Sequence, residues 1–381
     1  MRGYGTTIFA QMTALATQTG AINLGQGFPD EDGPPEVLEA AVDAIRAGRN
    51  QYPPGRGVPE LRAAIADHQH RWYGLELDPE SQVLVTVGAT EALAATVLAL
   101  CEPGDEVVMF EPYFDSYAAV TSLAGAVRRT VPLRFPEYAV EEDRLRAAFS
   151  ARTRLVLLNT PHNPTGKVFT AEEIELVCSI AREFGAWVVT DEVYEHLTFE
   201  DAVHIPAATL PGMAEHVITI GSAGKTLSTT GWKVGWVTGP AQVVTAVTTV
   251  KQFLTYVGSG PFQPAVAVGL RLPDERYRAF ASTLQHKRNV LTAGLRAAGM
   301  TVNHPLGTYF VIADTAALGV RDAVAFCQEL PHRVGVVGVP ASVFHDDPAG
   351  CGATTQVRFA FCKRQDVLEE AAARLADLGP A

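Results

Sequence analysis

Lys225 lies in the run Thr219-Ile-Gly-Ser-Ala-Gly-Lys-Thr-Leu-Ser-Thr-Thr-Gly-Trp-Lys-Val-Gly, with Ser222 three positions before it and Lys233 eight positions after it. An amine among small residues leaves room for a flat ring and suits imine formation with a carbonyl compound. A neighbouring hydroxyl and a second cation suit a phosphate. The letters Gly-Ser-Ala-Gly-Lys-Thr (221–226) also approach a nucleotide-binding loop. That loop requires a glycine at 219, where this chain has Thr219, and a long helix after it, where Gly-Trp-Lys-Val-Gly-Trp reads as a strand. The nucleotide reading fails on both counts.

Further residues converge on the same chemistry. Asp191 ends the apolar run that leads into Thr-Asp-Glu-Val-Tyr, and a carboxylate there faces the crevice in which α/β sheets bind ligands. An anion at that place favours a protonated nitrogen heterocycle, and Tyr194 would donate to a ring oxygen. Capping of a following helix is the structural alternative for Asp191. The loop Asn159-Thr-Pro-His-Asn-Pro-Thr-Gly-Lys167 aims the Asn163 amide the same way, and His162 between its prolines reads as a structural hydrogen-bonder. At Gly88-Ala89-Thr90 a strand gives way to a helix, whose free N–H groups favour a phosphate. Arg358, in Gln-Val-Arg-Phe-Ala-Phe, suits a planar carboxylate, with an internal salt bridge as the alternative. Gly25-Gln26-Gly27 permits close backbone approach, and Phe114 offers a stacking face. His68-Gln-His70 reads as a helix surface. No His/Cys/carboxylate set has metal-ligand spacing, so no metal is expected.

These residues need a scaffold. Val83–Val87, Glu106–Phe110, Leu155–Leu158, Ala186–Thr190 and Val217–Gly221 read as strands, alternating with helices at Thr90–Leu100 and Ala171–Phe184. Continuous Val/Leu/Ile runs predict strands covered on both faces, and the alternation predicts a mainly parallel α/β sheet. Beyond Asp274–Ala298, a long charged helix, come a strand at Thr308–Ala313, a helix near 321–329, a strand around Gln356–Phe361 and a helix from Gln365. This reads as a smaller α+β domain to which the N-terminal residues contribute. The expected division is a large domain over 45–270 and a small one over 1–44 with 271–381.

At 381 residues the chain is long enough for one large or two medium domains, and 47% hydrophobic with 19% charged residues fits a soluble globular protein. A net charge of −12 without a basic block disfavours nucleic acid or an anionic membrane as partner. Five scattered cysteines without a Cys-x-x-Cys pair fit a reducing cytoplasm. The opening Met-Arg-Gly-Tyr-Gly-Thr-Thr lacks a signal-peptide core, and no apolar run reaches the ~20 residues of a membrane-spanning helix.

Taken in order, Asn-Leu-Gly-Gln-Gly-Phe-Pro-Asp, Val-Gly-Ala-Thr-Glu-Ala, Pro-His-Asn-Pro-Thr-Gly, Thr-Asp-Glu-Val-Tyr-Glu, Ser-Ala-Gly-Lys-Thr and Val-Arg-Phe-Ala-Phe-Cys-Lys span residues 23–363. The chain thereby resembles the fold-type I, pyridoxal-phosphate-dependent class I/II aminotransferases. It is most similar to the branch with kynurenine, glutamine, methionine and N-succinyldiaminopimelate aminotransferases. The resemblance implies a mainly parallel seven-stranded sheet between helices plus a smaller α+β domain. It implies that Lys225 binds pyridoxal 5'-phosphate as an imine and then shuttles a proton. Asp191 would pair with the pyridine nitrogen, Asn163 and Tyr194 with the phenolic oxygen, and Phe114 would stack on the ring. Gly88, Ala89, Thr90, Ser222 and Lys233 would hold the phosphate, joined by Tyr52 from a second subunit of a homodimer. Gly27 and Arg358 would bind the substrate carboxylate, with Phe9, Tyr256 and Arg56 near its side chain, Arg56 meeting a distal carboxylate.

The implied activity is ping-pong transfer of an amino group to a 2-oxo acid such as 2-oxoglutarate. A carbon–sulfur β-lyase would use the same lysine, and a non-catalytic protein on this fold is the alternative of another class. Phe9 stands where kynurenine aminotransferases usually carry tryptophan, and Val257 where they often have histidine. The segment 251–258 looks more like the succinyldiaminopimelate group, and 221–226 more like the kynurenine group.

Overall fold

A computed structural model of the chain describes residues 7–378, so the first six residues of the opening heptapeptide lie outside it. The short N-terminal strand β1 (Ile22–Asn23) precedes seven strands that form the central sheet. These are β2 (Val83–Val87), β3 (Glu106–Glu111), β4 (Val127–Pro132), β5 (Thr153–Asn159), β6 (Trp187–Asp191), β7 (Val217–Ser222) and β8 (Val234–Thr238). Their spatial order is β2-β8-β7-β6-β5-β3-β4. The five strands from β7 to β4 run parallel, while β8 is antiparallel to both β7 and β2. Every residue of β3 is buried, as are Val188, Val189 and Thr190 of β6. Helices on both faces thus explain the unbroken apolar runs.

The edge strand β4 was not foreseen in the sequence. Its Val-Arg-Arg-Thr-Val-Pro alternates exposed and half-buried positions because one side of it has no neighbour. Helix Ala171–Glu183 begins where its sequence predicts. Thr170 accepts from the Glu173 amide, and the Glu173 side chain returns the bond to the Thr170 amide.

Beyond the 24-residue helix Asp274–Ala297 lie β9 (Thr301–Val302), β10 (Phe310–Asp314), β11 (Val336–Val337), β12 (Val339–Pro340) and β13 (Gln356–Ala360). Four of them make an antiparallel sheet ordered β12-β13-β10-β9. The fifth, β11, pairs in parallel with β1, which ties the N-terminal segment to the C-terminal part of the chain. The helix expected near 321–329 runs over Ala323–Val334, begun by Asp322 and continuing past Pro331.

Candidate active site

The C-terminal ends of β5, β6 and β7 open onto a cavity of about 240 Å³. Its walls bring together Phe9, Gly27, Gly88, Ala89, Thr90, Phe114, Asn163, Asp191, Tyr194, Ser222, Lys225, Lys233 and Arg358. Residues from positions 9 to 358 therefore meet at one crevice, at the place α/β sheets use for ligands.

Lys225 sits in the one-turn helix Ala223–Thr226, whose N-cap Ser222 accepts from the Gly224 amide at 3.2 Å. Burial lowers the Lys225 amine to about 8, and the nearby cations Arg358 and Lys233 push the same way against Asp191. Its Nζ lies 5.7 Å from the Tyr194 ring and 5.6 Å from the Tyr309 ring. A lysine so placed supplies a neutral amine near neutral pH.

Asp191 ends β6 half-buried on the cavity wall, and desolvation there raises its carboxyl above the usual range. The Tyr117 hydroxyl donates to its Oδ2 at 2.7 Å. Tyr117 lines the cavity too and was missed in the sequence, because it is one turn from Phe114 on helix Asp115–Leu123 and carries no motif of its own. Asn159 donates to the Asp191 carbonyl at 2.8 Å and accepts from the Asn163 amide at 2.7 Å, which locks the proline-bounded loop to the end of β6. His162 in that loop bonds Thr165 at 2.8 Å, and burial lowers it to about 3. It is a neutral structural residue, as its flanking prolines suggest.

The phosphate-sized end of the cavity is built by close backbone approach. Gly88 opens helix Gly88–Leu100 at φ 73°, and no side chain caps that end. A Cβ on Gly88 would lie 3.0 Å from the Lys233 Cε and Nζ, and one on Gly235 would lie 2.7 Å from the Ala89 amide nitrogen. Both glycines are needed for Lys233 to reach the helix N-terminus, where an anion is favoured.

At the opposite end Arg358, on β13, is wholly enclosed by protein. Its Nη1 donates to Asn163 Oδ1 at 3.1 Å and its Nη2 to the Gly25 carbonyl at 2.8 Å, while the buried Nε has no partner. Phe310, Phe344 and Phe9 surround the guanidinium at 4.1, 4.9 and 5.1 Å. Among the described residues no carboxylate pairs with it, so the internal salt bridge is not formed there. Burial lowers it to about 10, so it stays cationic at neutral pH.

Three expected residues lie outside this cavity. Tyr52 and Tyr256 are exposed at the surface, where their rings meet edge to face at 5.5 Å. Arg56 must be corrected: it donates to the Glu80 and Ser81 carbonyls at 3.2 Å each and to Thr245 at 3.1 Å. Its guanidinium clamps a turn instead of facing the cleft. The His68–His70 reading also changes, because His68 and Gln69 are buried and only His70 lies on the surface.

Comparison with known proteins decides the family. The profile described as "Aminotransferase class I and II" matches residues 19–375. The chain belongs to the class I and II aminotransferases. It is 51% identical to the probable N-succinyldiaminopimelate aminotransferase DapC of Mycobacterium tuberculosis, over 99% of this chain and 97% of that one. It is 40% identical to the methionine aminotransferase of Escherichia coli, over 98% and 96% of the two chains. The solved N-succinyldiaminopimelate aminotransferase of M. tuberculosis superposes with a TM-score of 0.97 at 52% identity, covering 99% of this chain and 98% of that one. The protein is thus an enzyme of amino-group transfer with the α/β fold of this family. Among the described residues no helix is long and apolar enough to cross a membrane.

Proposed function

We propose that this aminotransferase uses pyridoxal 5'-phosphate to move an amino group from an L-amino acid to a 2-oxo acid in a ping-pong cycle. The observation that carries the reading is the buried Lys225 amine, lowered to about 8, in a cavity that also holds Asp191 and Arg358. The cavity fits the cofactor. It offers an amine for covalent attachment and a carboxylate for a ring nitrogen, and an uncapped helix end beside Lys233 suits a phosphate. When bound, the cofactor supplies an electron sink for the charge left at the substrate Cα.

The chain's own residues do the rest. Lys225 takes the Cα proton and returns it on the other side of the exchange. Asp191, held by Tyr117, keeps a proton on the ring nitrogen. Asn163 and Tyr194 hold the ring oxygen, and Phe114 covers the ring face. Gly88, Ala89, Thr90, Ser222 and Lys233 hold the phosphate. Arg358 takes the substrate carboxylate with the Gly27 backbone, and its unpartnered Nε adds to the attraction. The reading assigns 45–270 to a large domain, and 1–44 with 271–381 to a small one. It makes the enzyme a cytoplasmic homodimer in which Tyr52 and Tyr256 serve the neighbouring site, in keeping with their exposure outside their own cavity.

For the donor we take N-succinyl-diaminopimelate with 2-oxoglutarate as acceptor, supported by the name and overall likeness of the M. tuberculosis relative. Single-turnover spectroscopy with N-succinyl-diaminopimelate, methionine, kynurenine and glutamine tests this choice. The succinylated donor should react fastest, and a faster methionine reaction would replace it. Release of pyruvate and ammonia without an oxo acid would turn the reading to a β-lyase. Absence of an imine absorption band when the cofactor is added to the unmutated protein, with Lys225→Ala giving the same spectrum, would remove it altogether.

A further inference from the structure

Outside the active-site cavity, His68, Glu195 and His196 place one ligand atom each within 4.8 Å of one another, and all three are buried. They come from two distant stretches: the helix Pro59–Tyr73 and the turn that follows β6. The His68 Nε2 and His196 Nε2 lie 2.6 Å apart, and Glu195 Oε1 is 3.9 Å from His196 Nε2. We infer that this cluster is a binding site for a zinc-like divalent cation, held by two imidazoles and one carboxylate.

Three features make it more than a chance meeting of polar groups. The first is the tautomer of His68. Its Nδ1 lies 3.1 Å from the Leu270 carbonyl, which can only accept, and 3.4 Å from Arg71 Nη2, which can only donate; with the shorter contact as the hydrogen bond, Nδ1 carries the hydrogen and Nε2 presents a lone pair to the cluster. A single N–H, that of His196, then lies between the two Nε2 atoms, and a cation taking its place meets two lone pairs once His196 moves its hydrogen from Nε2 to Nδ1. The second is support behind Glu195 and His68. Gln69 donates to Glu195 Oε2 at 3.2 Å, the Tyr73 hydroxyl also bonds Glu195, and the Leu270 carbonyl orients His68. Ligating imidazoles and carboxylates are characteristically held from behind in this way.

The third feature is an open side. Glu195 and His196 border a separate cavity of about 380 Å³, large enough to bring solvent as a fourth ligand. The same cavity is lined by His204, whose buried Nδ1 has no partner, and His204 Nε2 bonds Glu192 at 3.0 Å. Tetrahedral zinc places its ligand atoms roughly 3.3 Å apart, given bonds of about 2.0–2.1 Å. The imidazoles must therefore part by about 0.7 Å, and the carboxylate must approach His196 by about 0.6 Å and His68 by up to about 1.5 Å, which takes side-chain rotations of Glu195. Two imidazoles with one carboxylate select zinc-like ions over magnesium or calcium. Such an ion would staple the helix Pro59–Tyr73 to the turn carrying Tyr194.

The test uses the cofactor-loaded protein, stripped with a chelator and then titrated with Zn2+ while bound metal is counted. One ion per chain is expected, with an upward shift of the melting temperature. His68→Gln and His196→Gln should each weaken uptake by about a hundredfold or more, beyond the loss of an outer-shell partner, while His70→Gln on the surface should not. Co2+ in the unmutated protein provides a readout independent of any variant. Intense visible bands of a four- or five-coordinate ion, at wavelengths beyond the cofactor's own, are expected. Absence of Zn2+ uptake, uptake that survives both buried substitutions, uptake lost in His70→Gln, or the faint spectrum of six-coordinate cobalt would each overturn the inference.

Discussion

Lys225 answers two demands that conflict in water, since a bond-forming amine must be neutral while a phosphate beside it needs cations. Burial resolves the conflict by lowering this amine to about 8, whereas Arg358, lowered only to about 10, keeps its charge at neutral pH. Attachment of pyridoxal, which lacks the phosphate, should therefore accelerate as pH rises through about 8 and level off above it. In Lys233→Met the inflection should move to higher pH, because a repelling charge is gone; stopped-flow absorbance reads both. Tyr117 offers a second check at this scale. Its hydroxyl stabilises the ionised form of Asp191 across 2.7 Å, so its loss raises that carboxyl further and weakens the charge facing the ring. Tyr117→Phe should lower kcat by about tenfold or more at little changed KM, since a bond to a charged group is worth about 1.5–3 kcal/mol. An unchanged kcat would make Tyr117 mere packing. Chemical type made Lys225, Asp191 and Asn163 legible in the sequence. Tyr117 was not legible, because only the turn of helix Asp115–Leu123 carries it to Asp191.

Strands and helices succeed or fail here by how much of their surface is covered. The buried strands β3, β5, β6 and β7 announced themselves as apolar runs. The edge strand β4 hid behind its two arginines, both of which are put to structural use, Arg128 by pairing with Asp346 at 2.8 Å. Glu106 at the start of β3 is buried and accepts from Arg129 of β4 at 2.6 Å, Arg152 before β5 at 2.7 Å and Ser150 at 2.6 Å. Hydrogen bonds from Arg129 and Ser150 hold its carboxyl down at about 2, well below the ordinary 4.5. A depressed carboxyl stabilises the fold fully above its unfolded value, and the contribution fades as pH falls from 4.5 toward about 2. Urea midpoints of the unmutated chain and Glu106→Gln should differ most near neutral pH and converge across that window. A constant gap would mean that Glu106 acts through packing and not through charge.

At the scale of the whole molecule, Tyr52 and Tyr256 are the informative residues, because their exposure leaves them idle within one chain. If Tyr52 completes a neighbouring site, inactive Lys225→Ala and impaired Tyr52→Ala chains should complement each other when reassorted. A mixed dimer rebuilds one complete site, so random mixing should restore about a quarter of full activity in a symmetric dimer. Activity no higher than the sum of the two parents would place Tyr52 outside the site.

Some features needed no coordinates. Amine, carboxylate, amide and guanidinium each have few chemical uses, and their order along the chain named the family before any fold was drawn. Long-range contact was beyond that reading. Nothing local distinguishes Arg56, which clamps the Glu80–Ser81 turn, from Arg358, which three phenyl rings hold at the cleft. Nor does spacing hint that His68 meets His196, 128 positions away. Periodicity and residue type encode what neighbours along the chain will do, whereas desolvation and the partners of a buried charge depend on which distant segments pack together. The tertiary structure alone decided those.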